Sequence, residues 1–195
     1  MKILLVSFFV VIVDQLSKLF VKGVNIPGLK MGFAGLQSGN SIPIIDHVFS
    51  ISLVENPGIA FGIDFGSNFK LFISIFTLIA SLALLYYILQ NKEKEIGLRA
   101  SLALILGGAI GNLIDRIFYG VLYHYAPIFH GKVVDFFDLR MFNLFIFNHT
   151  FGNYVFNFAD VSVTAGVILL LFALNKQKIV SSNSAKEIEI VLTEK

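Results

Sequence analysis

Residues 156–174 read FNFADVSVTAGVILLLFAL, and this stretch decides the fold. The run is apolar and long enough to cross about 30 Å of hydrocarbon as a helix, yet Asp160 stands near its start. Three other stretches share its length and character: residues 3–21, 71–89 and 100–118. The span 71–89 carries no Asp, Glu, Lys or Arg, whereas each of the other three does. The whole chain agrees: of 195 residues, 56% are apolar and 14% charged, against roughly a quarter charged in a soluble domain. Mean hydropathy is +0.80. The reading is one integral-membrane domain over residues 1–180, with 181–195 as a polar cytoplasmic tail.

Composition also excludes several function classes. The absence of cysteine removes disulfides, thiolate zinc sites, iron–sulfur clusters and cysteine nucleophiles. The 15 Lys and Arg are dispersed along the chain, which argues against a nucleic-acid partner. Lys2 before an apolar run suggests a signal peptide, but Asp14 and Lys18 interrupt that run and no small-x-small cleavage site follows. With both ends inside, the inner segments hold Lys2, Lys92, Lys94, Arg99, Lys176 and Lys178. The positive-inside bias therefore puts both termini in the cytoplasm and the two long connections outside.

Those connections are too long for simple turns. Residues 41–63 contain strand-like stretches, 44–54 especially, punctuated by Pro43, Pro57 and Gly58. The second connection is rich in aromatic residues, among them Tyr119, Tyr123, Tyr125, Phe129, Phe136 and Phe137, which favour a membrane surface. The expected architecture is a membrane all-α core of four helices, with a small β-rich extracytoplasmic platform and an extended outer loop.

Ionisable groups inside a span cost at least ~2.5 kcal/mol each at its centre, so each needs a reason. Asp14 and Lys18 are four residues apart and share a helix face. Asn112, Asp115 and Arg116 follow similar spacing in the third span, and Asn157 and Asp160 in the fourth. Given the topology, Lys18, Asp115 and Asp160 all lie about 5–6 Å inside the outer boundary. The pairs Asp14–Lys18 and Asp115–Arg116 can be read as internal ion pairs that join helices. Asp160 has no basic residue near it in sequence and can be read either as a helix N-cap or as a reactive acid.

Asp135 has the same character, bracketed by Val133, Val134, Phe136 and Phe137. Asp138 competes with it but neighbours Arg140. Two carboxylates in a poorly solvated place retain a proton between them. Such a pair can activate water and protonate a leaving amine. A metal on His124, His130 and Asp135 is the alternative, although the four histidines lack the helical spacing of a zinc peptidase. Gly107 and Gly111 form a small-x-x-x-small pair for helix approach. Asn56–Pro57–Gly58 reads as a turn that offers amide donors.

Five elements in order resemble the lipoprotein signal peptidases (signal peptidase II), the membrane aspartyl peptidases of bacteria. Asp14–Gln15–Leu16–Ser17–Lys18 matches the family's D-Q-x-S/T-K, and Asn56–Pro57–Gly58–Ile59–Ala60–Phe61–Gly62 its N-x-G-x-A-F-G. Gly111–Asn112–Leu113–Ile114–Asp115–Arg116 matches G-N-x-x-D-R, Val134–Asp135–Phe136 matches V-D-F, and Phe156–Asn157–Phe158–Ala159–Asp160 matches F-N-x-A-D. The resemblance implies that Asp135 and Asp160 form a catalytic dyad without metal or cofactor. It implies that Asp14, Lys18, Asn56, Gly58, Asn112, Asp115, Arg116, Asn157 and Ala159 shape the site or bind substrate. The implied substrate is a diacylglyceryl prolipoprotein, cut just before its lipidated cysteine. The implied setting is the bacterial cytoplasmic (inner) membrane, with a monomer in contact with membrane lipid and the site near the outer leaflet. The chain departs from the family pattern in longer connections, at residues 23–41, 119–132 and 140–155, and the aromatic-rich one is expected to cover bound substrate. A small proton-coupled transporter is the rival reading, and an assembly or lipid-binding protein held by its ion pairs is another. Against transport, the charges cluster at one level and no inverted repeat is visible.

Overall fold

A computed structural model describes residues 2–26, 31–58, 66–146 and 149–193. Among the described residues, four helices are long and apolar enough to cross a membrane: Leu4–Lys22, Asn68–Gln90, Ile96–Leu122 and Phe158–Lys176. The first is α1 (Leu4–Lys22) and the second lies within α2 (Ser67–Gln90). The third combines α3 (Ile96–Ile114), a π-helical turn over Asp115–Tyr119 and a last turn, α4 (Gly120–Leu122). The fourth opens α5 (Phe158–Thr193), which continues as helix through most of the stretch read as a polar tail. The fourth span starts later than the expected 156, because Phe156 is the last residue of a strand.

Large apolar side chains cover the outside of these helices: Phe9, Leu16 and Phe20 on α1, Phe72 and Phe76 on α2, Leu171 and Phe172 on α5 are all exposed. Such a belt is stable only against hydrocarbon, and a helix satisfies its own backbone there. Between helices, hydrophobicity gives no preference over lipid, so small residues and hydrogen bonds hold the bundle. α3 lies at its centre and is the most buried of the four spans. A Cβ on Gly107 would lie 2.8 Å from Val10 Cβ of α1, and one on Gly108 would run into the carbonyl oxygen of Ala159 in α5. Ser7 donates to the Ala103 carbonyl at 2.7 Å, and Ser162 to the Leu104 carbonyl at 2.9 Å.

Among the described residues the strands form two antiparallel sheets. β1 (Gly23–Ile26) and β2 (Met31–Ala34) make a hairpin at the end of α1. Gly23 opens it at φ 79° with its Cα packed on Gly35, a place where a side chain has neither room nor a favoured backbone. The larger sheet has the order β3 (Ser41–Ile45), β4 (Phe49–Asn56), β5 (Val133–Ile146) and β6 (His149–Phe156). The stretch 44–54, expected as one strand region, is split by a turn at His47, whose φ is 58°. Pro43 sits on β3, an edge strand, where its missing N–H costs least. β4 and β5 align Val54 with Asp135 and Asn56 with Val133. A junction core of Val21, Leu53, Tyr119, Val134 and Phe136 joins this sheet to the bundle.

Gly108→Ala is expected to lower stability by about 1–3 kcal/mol through overpacking. Gly97→Ala, whose added Cβ would meet only Ala173 Cβ at 3.9 Å, is expected to be tolerated. Thermal unfolding of the two variants in the same detergent checks the contrast.

Candidate active site

The site is built where α1, α3, β5 and the start of α5 meet. Lys18 projects from α1 between two carboxylates, 2.8 Å from Asp14 Oδ2 and 2.8 Å from Asp115 Oδ2, with all three side chains fully buried. Its third contact is donated to Asn112 Oδ1 at 2.8 Å. An ammonium has three donors, so each is used. The two carboxylates then reach onward. Asp14 Oδ1 accepts the Ala159 backbone N–H at 2.9 Å, and Asp115 Oδ2 accepts that of Val134 at 3.1 Å. Ala159 directly precedes Asp160, and Val134 directly precedes Asp135.

Asn157 lies between the two candidate acids. Its side-chain nitrogen donates to Asp135 Oδ1 at 2.6 Å, while Asp160 Oδ2 accepts its backbone N–H at 3.1 Å. The side-chain oxygen of Asn157 accepts the Asp160 N–H at 3.0 Å, so the two residues cap the helix start reciprocally. Asn112 donates to Asp160 Oδ1 at 2.9 Å, which relays the Lys18 contact to that carboxylate. Asn56 donates to Asp135 Oδ2 at 3.3 Å, and its own oxygen accepts the Gly58 N–H at 2.9 Å. Gly58 stands at φ 90°, as the tight Asn56 turn requires. The matched stretch from Ile59 to Gly62 lies outside the described residues. Arg116 donates to the Asn112 carbonyl at 3.4 Å and interacts electrostatically with Asp115, Asp135 and Asp160.

The two acids differ in setting. Asp135 is 4% exposed, on a central strand. Burial first, and then the charge of Asp160, raise its carboxyl to about 7, against the opposing pull of Asn56, Lys18 and Asn157. Asp160 is half-buried on the first turn of α5 and lines a groove of about 400 Å³. Asp138, the competing acid, is paired with Arg140 at 2.9 Å. His124 and His130 do not join Asp135 in a set of three candidate metal ligands, and among the described residues there is none.

Sequence reading passed over two contributors, Gln15 and Glu55. Gln15 donates to Asp14 Oδ2 at 3.1 Å and to Asp115 Oδ1 at 2.9 Å, and it accepts from the Tyr119 hydroxyl at 3.2 Å. The only signal for Gln15 was its place beside Asp14 in the first motif. Glu55, next to Asn56, accepts from Lys22 and, at 3.2 Å, from Lys132. Burial raises the Glu55 carboxyl, but the hydrogen bonds and charges of these lysines outweigh it and hold the group below its ordinary range. The aromatic connection expected to cover substrate makes its contacts with the ends of the helices. Tyr123 donates to the Gly23 carbonyl at 2.8 Å, and the Phe129 carbonyl accepts from Ser74 of α2 at 2.9 Å.

Comparison with known proteins gives a consistent result. The family model described as signal peptidase (SPase) II matches residues 6–176. A lipoprotein signal peptidase of Porphyromonas gingivalis is 35% identical, over 82% of this chain and 76% of its own length. That of Moorella thermoacetica is 34% identical over 89% and 93%. A solved bacterial membrane enzyme superposes with a TM-score of 0.66 at 30% identity, covering 91% of this chain and 89% of its own.

Removing the shared cation leaves two buried carboxylates unpaired, so Lys18→Met is expected to cost about 3–5 kcal/mol. Lys132→Met, at a partly exposed pair, is expected to cost about 1 kcal/mol or less. Chemical or thermal unfolding of both variants checks this. For Asp135 the raised folded-state value means that ionisation opposes folding: its favourable contribution is complete below the ordinary carboxyl range and is lost as pH rises through about 7. Asp135→Asn should therefore gain in melting temperature relative to wild type as the buffer moves from about pH 5 to about pH 8.

Proposed function

The chain belongs to the signal peptidase II family, and from that premise we propose a membrane aspartyl endopeptidase with Asp135 and Asp160 as its dyad. It removes signal peptides from diacylglyceryl-modified prolipoproteins, cutting just before the lipidated cysteine. The observation that carries this reading is Asn157, whose side chain and backbone bridge two carboxylates of unlike setting. Asp135, buried and raised, holds the shared proton; Asp160, half-buried at the helix start and bordering the groove, is the base.

Water attacks the scissile carbonyl carbon and gives a proton to Asp160, while Asp135 gives its proton to the carbonyl oxygen. The tetrahedral intermediate collapses as Asp160 returns a proton to the leaving amine and Asp135 recovers its own. Bond and proton balance close on one peptide bond hydrolysed per water, with both carboxyls restored. Each aspartate follows a backbone N–H gripped by a buried carboxylate, which keeps the pair in register between turnovers. Asn56 and Asn112 hold the outer sides of the dyad, Gly58 shapes the Asn56 turn, and Arg116 offsets the surplus negative charge. The enzyme works as a monomer in the bacterial cytoplasmic membrane, with both termini cytoplasmic. The sheet lies on the outer leaflet, where a lipid-anchored substrate holds its scissile bond.

A gel-shift assay with purified protein and a diacylglyceryl prolipoprotein, in the presence of EDTA, tests this. Wild type should cleave, and folded Asp135→Asn and Asp160→Asn should each lose at least about a thousandfold in rate. The wild-type rate should fall as pH rises through about 7, where Asp135 loses its proton. Cleavage by either variant at the wild-type rate would remove that residue from the chemistry.

A further inference from the structure

Helix α1 presents Asp14, Lys18 and Lys22 at four-residue spacing, so the three share one face. Lys18 holds β5, because its partner Asp115 accepts the Val134 N–H. Lys22 stands one turn further along, about 6 Å up the axis, and its buried ammonium donates to Glu55 Oε1 of β4. The other oxygen of Glu55 accepts from Lys132 at 3.2 Å, on the residue that leads into β5. The ring of Tyr123 lies 4.2 Å from the Lys22 ammonium and that of Tyr125 5.3 Å from the Lys132 ammonium, so aromatic faces close the cluster. Lys22, Glu55 and Lys132 lie outside the five sequence motifs, and the proposed reaction uses none of them.

The cluster grips the end of the sheet that carries Asn56 and Asp135. A bulge interrupts the β4–β5 register between Ile51 and Val54, and the short run beyond it pairs Val54 with Asp135, Glu55 with Val134 and Asn56 with Val133. Pro57 follows directly and has no N–H to extend the ladder. A strand end of this kind is the first part of a sheet to open. Side chains alternate across a sheet, so Glu55 points to the opposite face from Asn56. The Asn56 amide meets Asp135 Oδ2 at 3.3 Å, against 2.6 Å for the Asn157 contact with Oδ1. The longer contact is the one that depends on where the end of β4 stands. We propose that Glu55, held between Lys22 and Lys132, is a positioning residue that keeps Asn56 against the Asp135 carboxyl group. This role rests on the peptidase reading given above, in which Asp135 is the acid, and adds a residue that acts on it from the far face of the sheet. Glu55 itself stays ionised in the working range, since its lysines hold it below ordinary carboxyl values. The group that responds is Asp135, faced by Asp160 from α5, Lys18 from α1, Arg116 from the π-helical turn and the amides of Asn56 and Asn157. Among these, the Glu55 grip acts on Asn56.

Wild type, Glu55→Ala, Lys132→Met, Asn56→Ala and the Glu55→Ala/Asn56→Ala double variant are assayed on one diacylglyceryl prolipoprotein from about pH 5 to about pH 9. Without the Glu55 grip the Asn56 contact is lost, and a carboxylate deprived of a donor keeps its proton to higher pH. The alkaline limb of the rate profile, at about 7 in wild type, is expected to move up by about half to one unit in Glu55→Ala. In the same variant kcat should fall about tenfold while KM changes less than about twofold. Asn56→Ala should show the same upward shift, and the double variant no more than Asn56→Ala alone. Lys132→Met, which removes one arm of the grip at a partly exposed pair, should move the limb the same way by less. The sign separates positioning from charge alone: loss of a negative charge acting through space would ease ionisation of Asp135 and move the limb down. Limb position is read from molecules that turn over, so a smaller folded fraction does not alter it, and Lys132→Met carries the test if Glu55→Ala does not fold. A downward or absent shift, or full additivity with Asn56→Ala, overturns the positioning role and makes Glu55 an ion pair that serves the fold, while an inactive Asp135→Asn would still uphold the dyad. Failure of wild type to cleave overturns the peptidase reading, and the positioning role with it.

Discussion

The Lys18 ammonium is the contact on which the rest of the molecule depends. A cation without solvent can persist only when every donor is answered, and here Asp14, Asp115 and Asn112 answer all three. The same carboxylates then serve as acceptors for two distant backbone N–H groups, one in α5 and one in β5. A single buried ion triad thereby links one helix end to another, and both to a strand. The membrane-embedded bundle and the sheet are aligned through it. Gln15 tightens the triad from the side, with its amide oriented by the Tyr119 hydroxyl.

This frame gives the two candidate acids, Asp135 and Asp160, unlike surroundings. Asp135 comes from a central strand and is closed off from water, with β4 supplying Asn56. Asp160 comes from the first turn of a helix and borders a groove. A strand delivers a fixed, dry position; a helix start delivers open space and backbone donors. In the proposed mechanism the proton is assigned to Asp135, because burial penalises its charged form. The proposed division between acid and base thus follows from secondary structure as much as from residue identity.

Much of this was legible in the chain, for identifiable reasons. The spans could be read because hydrocarbon thickness imposes a length and composition that survive any detail of packing. Their ends could not: α2 runs from Ser67, and the fourth span yields Phe156 to β6, because residues at an element boundary follow their tertiary neighbours. The split at His47 was hidden, since a non-glycine residue at positive φ leaves no compositional mark. Asp138 and Asp135 look alike in sequence apart from Arg140, and their difference lies in which partners each finds. Gln15 looked incidental because a neutral amide inside a span carries no conspicuous cost.

What the sequence by itself determined is the four apolar spans, the placing of charges at one level and the set of acids available for chemistry. Those are local properties: hydropathy, helical spacing and the cost of a charge in hydrocarbon need no partner to be evaluated. The tertiary structure alone decided that Asp14 meets the N–H of Ala159, that Asp115 meets that of Val134, and that Asn157 bridges Asp135 and Asp160. The first depends on close helix approach at Gly108 and Gly111, the second on Gly131 lying against the Asp115 carbonyl, and the third on the β5–β6 register that pairs Phe137 with Phe156. Distance between backbones is a property of packed elements and not of any one of them, which is why it had to be seen in the fold.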